Sequence, residues 1–170
     1  MTKASTAEGA AALKKNVRQY LTFILAGEEY GIEILKVREI RGWEPPTMLP
    51  NTAAYVLGVI NLRGTVVPIV DLRQRFGMEC KEFDKTTVVV VVRVKTEDKE
   101  RIIGLVVDAV SDVYDVNEDT IRPAPDLGVA IDTEYVRGLA TLDDKMIIVL
   151  DIDHLISTGV LKKIEKNQQG

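Results

Sequence analysis

The sequence predicts a mainly β protein, built as two small five-stranded barrels packed together, with a short C-terminal helix. Two observations carry this. Short runs rich in β-branched and aromatic residues recur along the chain between turn signals. The chain also matches itself. Tyr55-Val56-Leu57-Gly58-Val59-Ile60-Asn61-Leu62 falls on Tyr135-Val136-Arg137-Gly138-Leu139-Ala140-Thr141-Leu142, and Val67-Pro68-Ile69-Val70-Asp71-Leu72 falls on Ile147-Ile148-Val149-Leu150-Asp151-Ile152 in the same ungapped register.

The elements follow in order. Residues 1–16 lack an apolar run and read as a tail rather than a signal peptide. Tyr20 to Leu25 is a strand, Gly27-Glu28-Glu29 a turn, and Tyr30 to Ile34 a second strand. Val37 and Ile40 continue the apolar pattern, and the proline-rich segment Trp43 to Pro50 reads as a stiff connector. The apolar runs either side of Arg63-Gly64 form a hairpin, and Asp71 to Phe76 a helical turn stopped at Gly77. Thr86 to Val94, with five consecutive valines, reads as a strand buried on both faces. Thr96 to Glu100 is then a hairpin tip leading into Ile102 to Val107, a segment that matches the earlier Tyr30 strand at Ile103-Gly104. Asp143-Asp144 is the turn equivalent to Arg63-Gly64, and Asp153 to Lys163 is the best helical candidate, weakened at Gly159. The expected organisation is a tail at 1–16, a first repeat at 17–80, a second at 86–158 and a helix end and tail at 159–170. Spacing leaves open whether each repeat closes its own barrel or lends a strand to its neighbour.

Composition narrows the function classes. No run of about 18 apolar residues is present, so direct membrane insertion is not expected. A single cysteine, Cys80, fits a reducing, cytoplasmic setting. The net charge of −4 argues against nucleic-acid affinity. Charge is uneven, with 12 Lys+Arg against 10 Asp+Glu in residues 1–85 and 10 against 16 in residues 86–170. Such halves suit heterologous contacts between similar modules.

Catalytic tools are missing. His154 is the sole histidine, Cys80 sits between Glu79 and Lys81, and no phosphate-binding glycine loop or paired-cysteine motif occurs. No metal site or cofactor is expected. The one enzymatic alternative is a duplicated Asp-dependent hydrolase using Asp71 and Asp151, which occupy equivalent places in the repeats. Their bulky and charged neighbours favour a plainer role, each Asp capping the helical turn that follows it. Arg38, Arg41, Arg63, Arg73 and Arg75 read as a basic, solvated face suited to forked recognition of carboxylates.

Asn61-Leu62-Arg63-Gly64-Thr65-Val66-Val67-Pro68-Ile69-Val70-Asp71-Leu72 resembles the signature of the CheW family, and Glu29 to Ile40 resembles its early segment. Ile121-Arg122-Pro123-Ala124-Pro125 and Tyr135 to Leu142 resemble later ones, so the likeness spans roughly residues 17–157. The resemblance implies a pair of five-stranded SH3-like barrels without catalytic activity. It implies a cytoplasmic adaptor, recruited to membrane-associated receptor arrays, that joins the cytoplasmic hairpin tips of methyl-accepting chemoreceptors to the regulatory domain of the histidine kinase CheA. An adaptor of a non-flagellar chemosensory pathway is the alternative within the family. By the same resemblance, Val37, Glu39 and Arg63 are the receptor-binding residues, in a groove between the barrels. For Val37 the competing role is ordinary core, and for Arg63 a structural salt bridge with Asp71 or Glu39. The kinase-contacting residues are not assigned.

Overall fold

A computed structural model describes residues 16–79, 82–96, 99–123, 135–142 and 144–156. Among the described residues, ten strands form two five-stranded sheets, packed together, with few helical turns. The strands are β1 (Val17–Leu25), β2 (Glu28–Glu33), β3 (Val37–Gly42), β4 (Val56–Leu62), β5 (Thr65–Asp71), β6 (Val88–Thr96), β7 (Lys99–Val107), β8 (Ala109–Asn117), β9 (Val136–Leu142) and β10 (Lys145–Leu150). Helical turns α1 (Leu72–Arg75) and α2 (Ile152–Leu155) follow β5 and β10.

The sheet orders are β8-β1-β2-β10-β9 and β3-β6-β7-β5-β4. Numbered within each repeat, both orders read third, first, second, fifth, fourth. The first two strands have changed places: β1 and β2 complete the sheet of the second repeat, and β6 and β7 that of the first. The parallel pairs β2–β10 and β5–β7 are joins between strands of opposite repeats.

Burial explains the valine run. The largest core cluster draws on both sheets and takes in Val90, Val92 and Val94. Val89 and Val91 belong to a second cluster made by the β3–β7 sheet and its partners alone. A third, around Tyr20, Ala140 and Ile147, belongs to the other sheet. A strand between two cores must be apolar on both faces, and successive valines satisfy this.

Local differences from the sequence reading have simple causes. The first turn is Ala26-Gly27, at φ 51° and 83°, so Glu28 and Glu29 already pair within β2. A two-residue loop at positive φ matches the twist of the strands it joins, and Arg63-Gly64, at φ 52° and 90°, repeats it. The last helical turn starts at Ile152, one residue before the expected Asp153, because Asp151 caps it; residues 157–163 of the expected helix lie outside the described residues, as do Cys80 and Asp143.

Candidate functional site

β3 is the edge strand of its sheet and carries two of the three expected site residues. Val37 pairs with Val92, Glu39 with Val91 and Ile40 with Val90, so the register shifts between Val37 and Glu39. Simple alternation would put Val37 and Glu39 on one face. The bulge separates them. Val37 shares the face of Val92 and packs, half-buried, against the core common to both sheets. Glu39 lies on the face of Val91, the face of the second core cluster.

There Glu39 meets Arg63. The Arg63 guanidinium donates to one carboxylate oxygen of Glu39, and Arg41 approaches the other at 3.4 Å. The Arg63 hydrogen bond, with help from Arg41, holds the Glu39 carboxyl below the usual carboxylate range. Arg63 stands in the left-handed backbone region, in a hairpin turn closed by the Gly64 N–H donating to Asn61 Oδ1 at 2.8 Å. A non-glycine residue held there marks a turn that the surroundings dictate. Its side chain stays 65% exposed, so the guanidinium keeps open directions for a second acceptor.

The face of Val37 extends beyond it. Ile40 is 45% exposed and Leu35 is 67% exposed. Leu35 stands in the turn Ile34–Lys36, where the chain crosses from one sheet to the other, and Val37 and Ile40 follow it on one face of β3, making an apolar strip. Sequence alone assigns neither Leu35 nor Ile40 to the site, since apolar residues beside strands look like core until the partner sheet is known. Shallow clefts of about 230 and 220 Å³ flank the turn, the first beside Lys36, Arg137 and Asp153, the second beside Arg18, Ile34 and Leu35.

The other expected residues have structural partners. Asp71 caps α1, accepting from the Arg73 N–H at 3.0 Å, and Asp151 caps α2 through the His154 N–H at 3.1 Å. Both Asp71 oxygens are also occupied by the Arg73 guanidinium, which leaves no lone carboxyl pair to share a proton. Arg73 itself corrects the reading of a solvated arginine face. It is 2% exposed, between Asp71 and Asp108 and 5.0 Å from the centre of the Phe83 ring. Arg75 is half-buried, its guanidinium over the rings of Tyr55 and Tyr135 and donating to the Tyr135 hydroxyl at 2.7 Å. Trp43 serves the connector role, stacked on Phe83 at 4.0 Å, while Thr47 pairs with Val59 through two backbone hydrogen bonds.

The other sheet carries its own charged cluster. Arg137 donates to the Tyr20 hydroxyl at 2.8 Å and approaches Glu33 and Glu118. Burial pushes the Tyr20 hydroxyl up to about 12 despite Arg137, so it stays protonated. Among the described residues, no group of three or more His, Cys, Asp or Glu is placed to hold a metal, and no helix is long and apolar enough to cross a membrane.

The CheW-like domain family matches residues 19–159. The chain is 45% identical over 148 residues to a chemotaxis protein CheW of Klebsiella aerogenes, covering 87% of each chain. It is 38% identical over 146 residues to a probable chemotaxis protein CheW of Rhizobium etli, covering 86% of this chain and 92% of that one. Among solved structures, the scaffolding protein TtCheW from Thermoanaerobacter tengcongensis superposes with a TM-score of 0.74 at 35% identity, covering 84% of this chain and 89% of that one.

Proposed function

The chain belongs to the CheW-like domain family of chemotaxis scaffold proteins, and from that premise we propose that it couples methyl-accepting chemoreceptors to the histidine kinase CheA, without catalysis of its own. In this reading it is cytoplasmic and is recruited to receptor arrays at the membrane. Its partners are the cytoplasmic hairpin tip of the receptors on one face and the regulatory domain of CheA on another.

One observation supports the receptor side most directly. Exposed Leu35 and Ile40 flank half-buried Val37 at the start of the edge strand, which also carries Glu39, paired with Arg63 of the β4–β5 turn. A receptor hairpin is helical, and an amphipathic helix offers an apolar stripe flanked by charge. The stripe would cover the strip, while the open side of the Arg63 guanidinium takes a receptor carboxylate or a helix C-terminus. Val37, Glu39 and Arg63 are therefore the proposed receptor-contacting residues.

The test is reconstitution with a soluble receptor hairpin fragment and CheA, reading kinase activity with and without this protein. Receptor-dependent kinase activity supports the reading. Failure to bind the CheA regulatory domain at tens of micromolar, an affinity expected even of a transient adaptor, overturns it.

A further inference from the structure

The chain changes sheets at two places, and the two crossings are fastened differently. Between β7 and β8 the crossing residue is Asp108. One of its carboxylate oxygens accepts from the buried Arg73 at 3.1 Å and the other from the Ala26 N–H at 2.9 Å. Between β2 and β3 the crossing is the turn Ile34–Lys36, in which no residue is fully buried and only Ile34 packs, half-buried, against the common core.

Here the charges are reversed. Asp153 stands 80 residues after Arg73, at the same place in its helical turn, and holds a lysine of the crossing instead of an aspartate. Its Oδ2 accepts from Lys36 Nζ at 2.7 Å, and its Oδ1 from the Lys95 N–H at 2.9 Å. The Leu35 carbonyl accepts from Arg93 at 3.3 Å. The Lys36 and Asp153 side chains are 26% and 32% exposed, against 2% for Arg73.

We propose that Lys36 and Asp153 are positioning residues for receptor binding, their ion pair fixing the turn that presents Leu35 beside Val37 and Ile40 of β3. The inference rests on the receptor reading of that strip. A half-exposed pair contributes little to global stability. It does decide how often a turn with no fully buried residue opens locally. A receptor helix that needs the strip ordered must then restore the order on binding, which lowers affinity and leaves the rest of the protein intact.

The experiment measures binding of a soluble fragment carrying the cytoplasmic hairpin tip of a chemoreceptor, by calorimetry. In parallel it follows thermal melting and affinity for the CheA regulatory domain. Lys36→Met should weaken fragment binding about two- to fivefold, with melting and kinase-domain affinity unchanged. Lys36→Arg should restore binding. Asp153→Asn, which keeps an oxygen for the Lys95 N–H, should match Lys36→Met, and the double variant should be no weaker than either single one. Arg63→Glu separates the two levels of the argument. If it weakens binding while Lys36→Met does not, the positioning role falls and the receptor reading stands. If neither matters, or the parent protein does not bind, both fall. A loss of melting temperature and kinase-domain affinity in step with fragment affinity would make the pair merely structural and would overturn the proposal.

Discussion

Arg63 reaches from the β4–β5 turn to Glu39 on β3, joining the two outermost strands of one sheet through a side-chain ion pair. With Arg63 65% exposed, the pair is screened by water and adds little to folding. Arg63→Ala should therefore keep the melting temperature close to that of the parent while weakening receptor-fragment binding. Parallel melting curves and binding isotherms check this. A variant that unfolds would make the pair a structural clamp.

The same pair has a pH signature. Because the Arg63 hydrogen bond lowers the Glu39 carboxyl, the native protein favours its charged form. Its contribution to stability is then complete above the usual carboxylate range and is lost as pH falls through the lowered native value. In Arg63→Ala the Glu39 midpoint should rise toward the ordinary range. Carboxyl-carbon NMR titration of both proteins reads it, and an unmoved midpoint would mean that Arg63 is not what lowers it.

Arg73 gives a contrasting prediction. It is buried against Asp71 and Asp108, so its removal leaves carboxylates inside the protein without their counter-charge. Arg73→Met should cost about 3–5 kcal/mol. The exposed Arg38→Met should stay within about 0.5 kcal/mol. Urea denaturation of the two variants makes the comparison, and equal midpoints would refute the buried-triad account.

These arginines show what was legible in the sequence. The repeat at offset 80 located β4, β5, β9 and β10 and paired Asp71 with Asp151 as caps, since caps and hairpins are local. Residue type alone offers Arg63 two partners, Asp71 and Glu39; it meets Glu39, while Asp71 is taken by Arg73. Arg73 was misread as surface, since nothing nearby in sequence announces that Asp108, 35 residues on, will close over it. The bulge that turns Val37 and Glu39 to opposite faces was equally hidden, being a property of the pairing with β6. Strand exchange stays an open alternative in the sequence for the same reason: it changes which strands are neighbours without changing the strands.

Gly58 and Gly138 occupy equivalent positions, and each presses against a carbonyl of the segment that pairs with its strand. A Cβ on Gly58 would lie 2.1 Å from the Thr47 oxygen, and one on Gly138 2.3 Å from that of Arg122. Gly58→Ala must push the Thr47 backbone away and break its pairing with Val59, at a cost of roughly 2–5 kcal/mol. Gly27→Ala, at φ 83° with open space around it, should cost only about 1 kcal/mol. Equal losses in chemical denaturation would show that backbone conformation, rather than the close approach, sets the requirement.

The exchanged strands bear on folding as a whole. Cutting the chain into its repeats, 17–80 and 86–158, severs the pairs β1–β8, β2–β10, β3–β6 and β5–β7. Each fragment would keep strands of both sheets but complete neither, and would expose its share of the core common to both. Neither repeat should therefore fold alone: each should lack a cooperative thermal transition by circular dichroism. The intact chain should unfold in one step. Trp43, just after β3, reports on one sheet, whereas far-ultraviolet circular dichroism reports on both, so the two transitions should coincide in denaturant. A separate Trp43 transition, or a repeat that folds by itself, would show that the exchanged strands do not bind the halves into one cooperative unit.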